Sequence, residues 1–327
     1  MTCGTKVWLR RYRQKGLKMK PLTSQQISGT WATLLLPINE DESIDFGRLG
    51  EDIDYLLTSG VDGIYAHGTA GEFYSLTEGE FDQINALLAE KCERGGRPFQ
   101  IGVGHMSAQI MIERVRRAAQ LKPGAIQVIL PDWYPLNMEE MKSFFDRVAA
   151  TASPIGLVLY NPPHAKRYLQ PEDYEQLSKA VPALVGVKVA NEPQWYAELH
   201  RRVPGISMFV TGHHLATGIR VGGSGAYSNV ACLHPAAAKR WNELMSSDYD
   251  AALVLEKKII GFLDEFVLPL RAKGGYSNQA LDKLLAAIGG WSRAGLRLRW
   301  PYRAVDESEA VRLREIAREW LPDFVPS

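Results

Sequence analysis

Eight times in roughly 220 residues, a short apolar run gives way to a stretch with helical spacing. The runs are Gly29 to Pro37, Gly63 to Gly68, Phe99 to Gly104, Ala125 to Leu130, Ile155 to Asn161, Leu184 to Val189, Ser207 to Gly212 and Gly225 to Ser228. Helical patterns fall between most of them. In the first, Phe46, Leu49, Ile53, Leu56 and Leu57 share one face and Gly60 marks the stop. The second opens on Thr77 with Glu80 three residues on, which is a capping box. This alternation predicts a parallel α/β fold, a (β/α)8 TIM barrel. A doubly wound sheet is the runner-up, and it lacks the phosphate-binding glycine fingerprint expected after its first strand. Four further helices are expected after residue 235: Ala236–Ser246, Tyr249–Phe266, Asn278–Ile288 and Ser308–Trp320. They exceed what a barrel needs, so the chain divides into an extension over 1–24, a barrel over 25–234, and a last barrel helix with a C-terminal helical extension over 235–327.

Charge and cysteine usage exclude several classes. Residues 1–20 hold Lys6, Arg10, Arg11, Arg13, Lys15, Lys18 and Lys20 and no acid; without those seven the body has 31 basic against 37 acidic residues. The tail reads as a disordered extension, and the body offers no basic patch for nucleic acid. Cys3, Cys92 and Cys232 are scattered and odd in number, which suits a reducing cytoplasm better than a disulfide framework. No apolar run is long enough to span a bilayer.

In a barrel of this kind, chemistry belongs at the C-terminal ends of the strands. Those ends supply Gly68-Thr69-Ala70-Gly71-Glu72, Pro131-Asp132-Trp133-Tyr134, Tyr160-Asn161-Pro162-Pro163, Lys188 and Thr211-Gly212-His213-His214. Lys188 ends an apolar strand. Its stem either packs while the ammonium reaches water, or burial keeps the amine neutral and nucleophilic. Tyr160 ends the preceding strand, and neighbouring parallel strands lie about 4.8 Å apart, so phenol and amine can converge. Alternation puts Leu184, Gly186 and Lys188 on one face, and Gly156, Val158 and Tyr160 on one face of the strand before. The Gly68–Glu72 turn offers backbone N–H groups to a carboxylate or phosphate, or serves simply as a tight connection.

These motifs carry a resemblance. Gly68-Thr69-Ala70-Gly71-Glu72-Phe73-Tyr74-Ser75-Leu76 resembles the Gly-(Thr/Ser)-Thr-Gly-Glu-x-x-x-Leu motif of the dihydrodipicolinate synthase/N-acetylneuraminate lyase family. Tyr160-Asn161-Pro162-Pro163 is similar to its Tyr-Asn-x-Pro segment, the step from Tyr160 to Lys188 matches its tyrosine-to-lysine step, and Gly222-Gly223-Ser224-Gly225 resembles its glycine cluster before strand eight. The resemblance implies a Schiff-base lyase without a cofactor or metal. Lys188 would attack the ketone of a small 2-oxo acid, usually pyruvate. Tyr160 would shuttle the proton, and the backbone of Gly68, Thr69, Ala70 and Gly71 would hold the carboxylate. The Thr69 hydroxyl would join a relay with an aromatic from strand four, often one reaching across a dimer interface, for which Tyr134 is the candidate and Trp133 the alternative. A homo-oligomer, dimer or tetramer, is implied.

Departures bear on the substrate. Ala70 replaces the usual second hydroxyl residue, and Ala165 stands where dihydrodipicolinate synthases place an arginine. His164, Lys166 and Arg167 flank it as replacement charges. His213 and His214 are read as second-substrate or proton-transfer groups, since no carboxylate is spaced to complete a metal site. Tyr227 either narrows the pocket or packs. The reading is a lyase for aldol cleavage, condensation or dehydration of a 2-keto-3-deoxy sugar acid or related 4-hydroxy-2-oxo acid. 4-Hydroxy-tetrahydrodipicolinate synthesis is the alternative, a catalytically silent 2-oxo acid sensor the reading from another class, and a metal-dependent aldolase a third.

Overall fold

The eight apolar runs become eight parallel strands: β1 (Gly29–Thr33), β2 (Gly63–Ala66), β3 (Phe99–Gly102), β4 (Ala125–Val128), β5 (Gly156–Tyr160), β6 (Leu184–Lys188), β7 (Ser207–Val210) and β8 (Gly225–Tyr227). They close in sequence order, β8 returning to pair with β1, in a computed structural model that describes residues 19–227 and 229–325. Helices α1 (Phe46–Thr58), α2 (Glu78–Gly95), α3 (Ala108–Ala119), α4 (Met138–Ala152), α5 (Pro171–Ala180), α6 (Pro193–Arg202) and α7 (Leu215–Arg220) follow the first seven strands. The Thr77–Glu80 capping box opens α2 as its sequence predicts. The TIM-barrel expectation therefore holds.

Inside the barrel, alternate residues meet. Trp31, Tyr65, Ala125, Val158, Phe209 and Tyr227 form one buried cluster, with Ile27 and Leu22 packed on it. The outward faces, such as Leu157, Leu159 and Val187, join a second cluster under the helices. One predicted alternation fails. Leu157 pairs with Leu184 and Val158 with Gly186, so Val185 is an extra residue in β6. Leu184 consequently packs in the outer cluster and Val185 against the inner one, and Leu184 does not share the face of Lys188. Beyond the bulge the register is regular, and Tyr160 stands directly opposite Lys188.

The remaining helices are α8 (Asn229–Leu233), α9 (Pro235–Ser247), α10 (Tyr249–Phe262), α11 (Leu268–Gly274), α12 (Asn278–Gly289) and α13 (Glu307–Trp320). The helix expected over 249–266 ends earlier. Leu263–Val267 form one π-helical turn, after which Pro269 sits in the first turn of α11, a helix unanticipated from sequence. The basic residues before Met19 lie outside the described residues, as does Ser228. Residues 19–24 already contact the barrel: Leu22 N–H donates to the Gly124 carbonyl at 2.8 Å, and Met19 N–H to the Glu93 carboxylate at 3.2 Å. No helix among the described residues is long and apolar enough to cross a membrane.

Candidate active site at the C-terminal rim

The ends of β2, β5, β6, β7 and β8 surround a cavity of about 300 Å³, closed on the far side by residues of α8, α11 and α12 and the π turn. At its base is the Lys188 amine. Its Nζ lies 4.2 Å from the ring centroid of Tyr160 and 5.4 Å from those of Tyr65 and Tyr227. Burial pushes this amine down to about 8, against the opposing pull of Asp282 and Cys232. That leaves about a tenth of the amine neutral at pH 7, which suits the second of the two sequence readings, a buried amine available as a nucleophile.

The groups beside it can move protons. The Tyr160 hydroxyl is 3.4 Å from Thr69 Oγ1, and burial raises its pKa while that contact lowers it. Thr69 and Ala70 line the cavity, and their backbone N–H groups donate to no protein group among the described residues. Gly71 and Glu72 N–H, by contrast, close the turn onto Gly68 and Thr69 carbonyls. Two backbone donors left open in this way have the chemistry a small anion requires. The Ala70 methyl is buried with Leu35, Ala286 and Ala294, which explains an apolar residue there: α12 and the following loop pack on it. Below, Tyr227 donates to Gln100 Oε1 at 2.6 Å. Tyr227 thus does both things the sequence left open, narrowing the cavity and packing on Trp31 and Phe209.

Other candidates separate. His164 and His213 line the cavity. His213 Nδ1 is 2.9 Å from the Asn229 amide, and burial pushes its ring down to about 4, so it is neutral near pH 7. The His214 ring lies tilted against that of His213, 4.4 Å between centroids, but does not line the cavity. Lys166 and Arg167 turn away: Lys166 Nζ donates to the Trp133 carbonyl at 2.7 Å, and Arg167 to Leu136 O and Asp173. Trp133 and Tyr134 are 76% and 81% exposed, so neither reaches Thr69 or Tyr160 within one chain. Among the described residues no group of three or more His, Cys, Asp or Glu is placed to hold a metal ion.

Four titratable cavity residues escaped sequence reasoning: Tyr65, Cys232, Arg271 and Asp282. Tyr65 had a readable signal, since it lies on the Gly63 face of β2. Cys232 comes from α8, Arg271 from α11 and Asp282 from α12, and long-range packing alone brings these three to the rim. Arg271 is exposed at the mouth with a guanidinium that has no partner among the described residues. Asp282 is the single acidic side chain of the lining, with its carboxyl pushed up to about 6 by burial against the pull of Lys188.

Comparison with known proteins agrees with this geometry. A model of the dihydrodipicolinate synthetase family matches residues 26–319. A 4-hydroxy-tetrahydrodipicolinate synthase of Acidobacterium capsulatum is 28% identical over 300 residues, 90% of this chain and 95% of its own. An N-acetylneuraminate lyase of Rhizobium meliloti is 27% identical over 304 residues, 89% of this chain and 94% of its own. A prophage protein of the dihydrodipicolinic acid synthase family from E. coli K12, solved in complex with pyruvate, shares the fold with a TM-score of 0.80 at 20% identity, over 90% of this chain and 98% of that one.

Proposed function

The chain belongs to the dihydrodipicolinate synthetase family, and from that premise we propose that it is a lyase whose Lys188 forms a Schiff base with a pyruvate-type 2-oxo acid. The observation that carries the reading is the Lys188 amine, held at 4.2 Å from the Tyr160 ring in a cavity that lowers its proton affinity. The amine adds to the ketone carbon, water leaves, and a protonated imine results. That imine accepts the electron pair of a bond at the adjacent carbon, either C–H or C–C. Tyr160, with Thr69 at 3.4 Å, carries the proton to and from that carbon. The free N–H groups of Thr69 and Ala70 hold the 2-oxo carboxylate.

For the second half of the substrate we favour a 2-keto-3-deoxy sugar acid or another 4-hydroxy-2-oxo acid, cleaved, condensed or dehydrated. The alternative, 4-hydroxy-tetrahydrodipicolinate synthesis, is disfavoured by Ala165 and by Lys166 and Arg167 pointing away from the cavity. Arg271 is the cation available at the mouth. A catalytically silent 2-oxo acid sensor would have no need of the Tyr160–Thr69 contact. The exposed Trp133 and Tyr134 suit a contact between copies, so we place the strand-four aromatic in a homo-oligomer interface. Buried Cys92 and Cys232, neither of them in a disulfide, fit the cytoplasm.

Incubation with millimolar pyruvate and sodium borohydride, followed by intact mass measurement, tests the reading. A gain of one reduced pyruvyl group in the native protein, absent in Lys188→Ala, is expected. A native protein that gains no mass would remove pyruvate-type imine chemistry from consideration.

A further inference from the structure

Asp282 reaches the cavity from the C-terminal helices, which the barrel chemistry described above does not use. Three observations fix it there. It lines the same cavity as Lys188, together with Cys232 of α8. The next residue, Lys283, is fully buried and ion-paired at 2.8 Å with Glu72, the last residue of the Gly68–Glu72 turn. The Arg299 backbone N–H also donates to Glu72 at 3.2 Å. The carboxyl is therefore held by a rigid link to the very loop that carries Thr69 and Ala70.

Its placement around the ring is complementary to Tyr160. Tyr160 ends β5, on one side of β6, while Cys232 follows β8, on the other side. Lys188 thus stands between a phenol–hydroxyl pair and a carboxyl. Imine formation needs both a proton acceptor and a proton donor at the nitrogen and departing oxygen. Tyr160 is engaged with Thr69 for the proton on carbon.

We propose that Asp282 is the acid–base partner of Lys188 in imine formation. The two groups share one cavity without a direct ion pair, so the carboxylate takes the proton of the Lys188 ammonium by way of cavity water, leaving the neutral amine to bond to the ketone carbon. The alkoxide so formed takes a proton from the nitrogen that has just bonded, giving the carbinolamine; its hydroxyl then receives the proton of the carboxylic acid and departs as water, as the nitrogen lone pair forms the protonated imine. Asp282 ends as carboxylate, so the proton account closes without a further reactant. The charged iminium is left beside an anion that stabilises it.

This inference rests on the Schiff-base reading. The reactive form of the pair carries one proton in total. Other ionisable groups facing Asp282 are Cys232 of α8 and Tyr65 and Tyr160 of the barrel, all raised by burial and protonated at neutral pH; Tyr74, after β2, is likewise raised. His164, His213 and Arg271 share the cavity. With Asp282 near 6 and Lys188 near 8, imine formation should be fastest between those values and fall on both sides.

The experiment mixes the full-length protein with pyruvate from pH 5 to 9.5, quenches with borohydride at timed intervals, and counts adduct by intact mass. The native rate is expected to be bell-shaped. Asp282→Asn is expected to lose the limb near pH 6 and to react about 100-fold more slowly at pH 7. Its remaining limb should lie below the native one, because the carboxylate that raises Lys188 is gone. A native rate that rises through a single limb overturns the inference while leaving the Schiff base standing, and needs no variant. Asp282→Asn with native rate and profile overturns it as well. If Asp282→Asn does not fold, Asp282→Glu must keep a bell, and a single limb there counts against the role. No adduct in the native protein at any pH removes the Schiff-base reading, and this inference with it.

Discussion

Glu72 has φ 49°, in the left-handed region that non-glycine residues seldom occupy, and its carboxylate is completely buried. Both features are tolerable because Lys283 meets it at 2.8 Å and also donates to the Arg297 carbonyl. Removing two charges from water costs several kcal/mol each, and their attraction offsets that only while both are present. Lys283 feels the cost: burial lowers its proton affinity even with Glu72 beside it. Lys283→Met is therefore expected to destabilise the fold by about 3–5 kcal/mol, since it strands a buried carboxylate. The double variant Lys283→Met with Glu72→Gln should recover a large part of that loss. Urea unfolding of the native protein and the two variants measures both quantities. A double variant no more stable than the single one would show that the pair is not the source of the cost.

At the level of elements, barrel closure depends on how near β8 approaches β1. Gly29 pairs with Gly225, and a Cβ built on Gly225 would sit 2.2 Å from the Gly29 carbonyl oxygen. Backbone cannot yield there as a side-chain tip would, so Gly225→Ala is expected to cost at least the roughly 1–3 kcal/mol of an overpacked core. Thermal unfolding checks this, and a melting temperature unchanged within a degree would mean the strands can part without cost. Such glycines were legible in sequence as a cluster, as were the eight apolar runs and the Tyr160–Lys188 spacing, because each is a local pattern. The bulge at Val185 was not legible: Leu184, Val185 and Val187 are all apolar, so nothing in their chemistry says which way each points. The π turn was hidden for a similar reason. Leu263–Val267 continues an apolar helical pattern, and the widened turn shows only in the backbone that carries Leu263, Val267 and Leu268 to the cavity wall. Asp282 and Arg271 were illegible because a helix pattern more than 80 residues past Lys188 carries no sign of where it lands. The strand-four aromatics and Lys166 illustrate the converse. Nearness in sequence to the rim suggested roles that a single chain does not give them.

The whole molecule links a barrel floor of aromatic rings to a C-terminal layer that closes the cavity, and its stability should register the neutral histidines buried within it. His67, at the end of β2, is buried with its Nε2 at 2.9 Å from Asn85 Oδ1 and its ring stacked on Phe81. Nδ1 has no hydrogen-bond partner among the described residues, so a second ring proton would be a buried donor left without one. Burial accordingly pushes His67 down to about 3 from 6.5. The sign follows from proton counting. Between those values the unfolded chain binds a proton that the folded one refuses, so stability rises with pH across that window, by about 1.4 kcal/mol per unit. The contribution is complete above pH 6.5 and declines as pH falls toward 3. His213, down to about 4, adds in the same direction, whereas Asp282, up to about 6, opposes because its folded form takes up the proton first. Differencing against a variant isolates His67. Asn is tolerated at the positive φ of 62° that His67 adopts. His67→Asn is expected to be less stable than the native protein at pH 7, yet to lose about 2–3 kcal/mol less than it does on going to pH 4.5. Urea midpoints for both proteins at the two pH values provide the four numbers needed. Equal losses in native and variant would mean that His67 takes up its proton in the folded state, and that the ring is not held neutral by its burial.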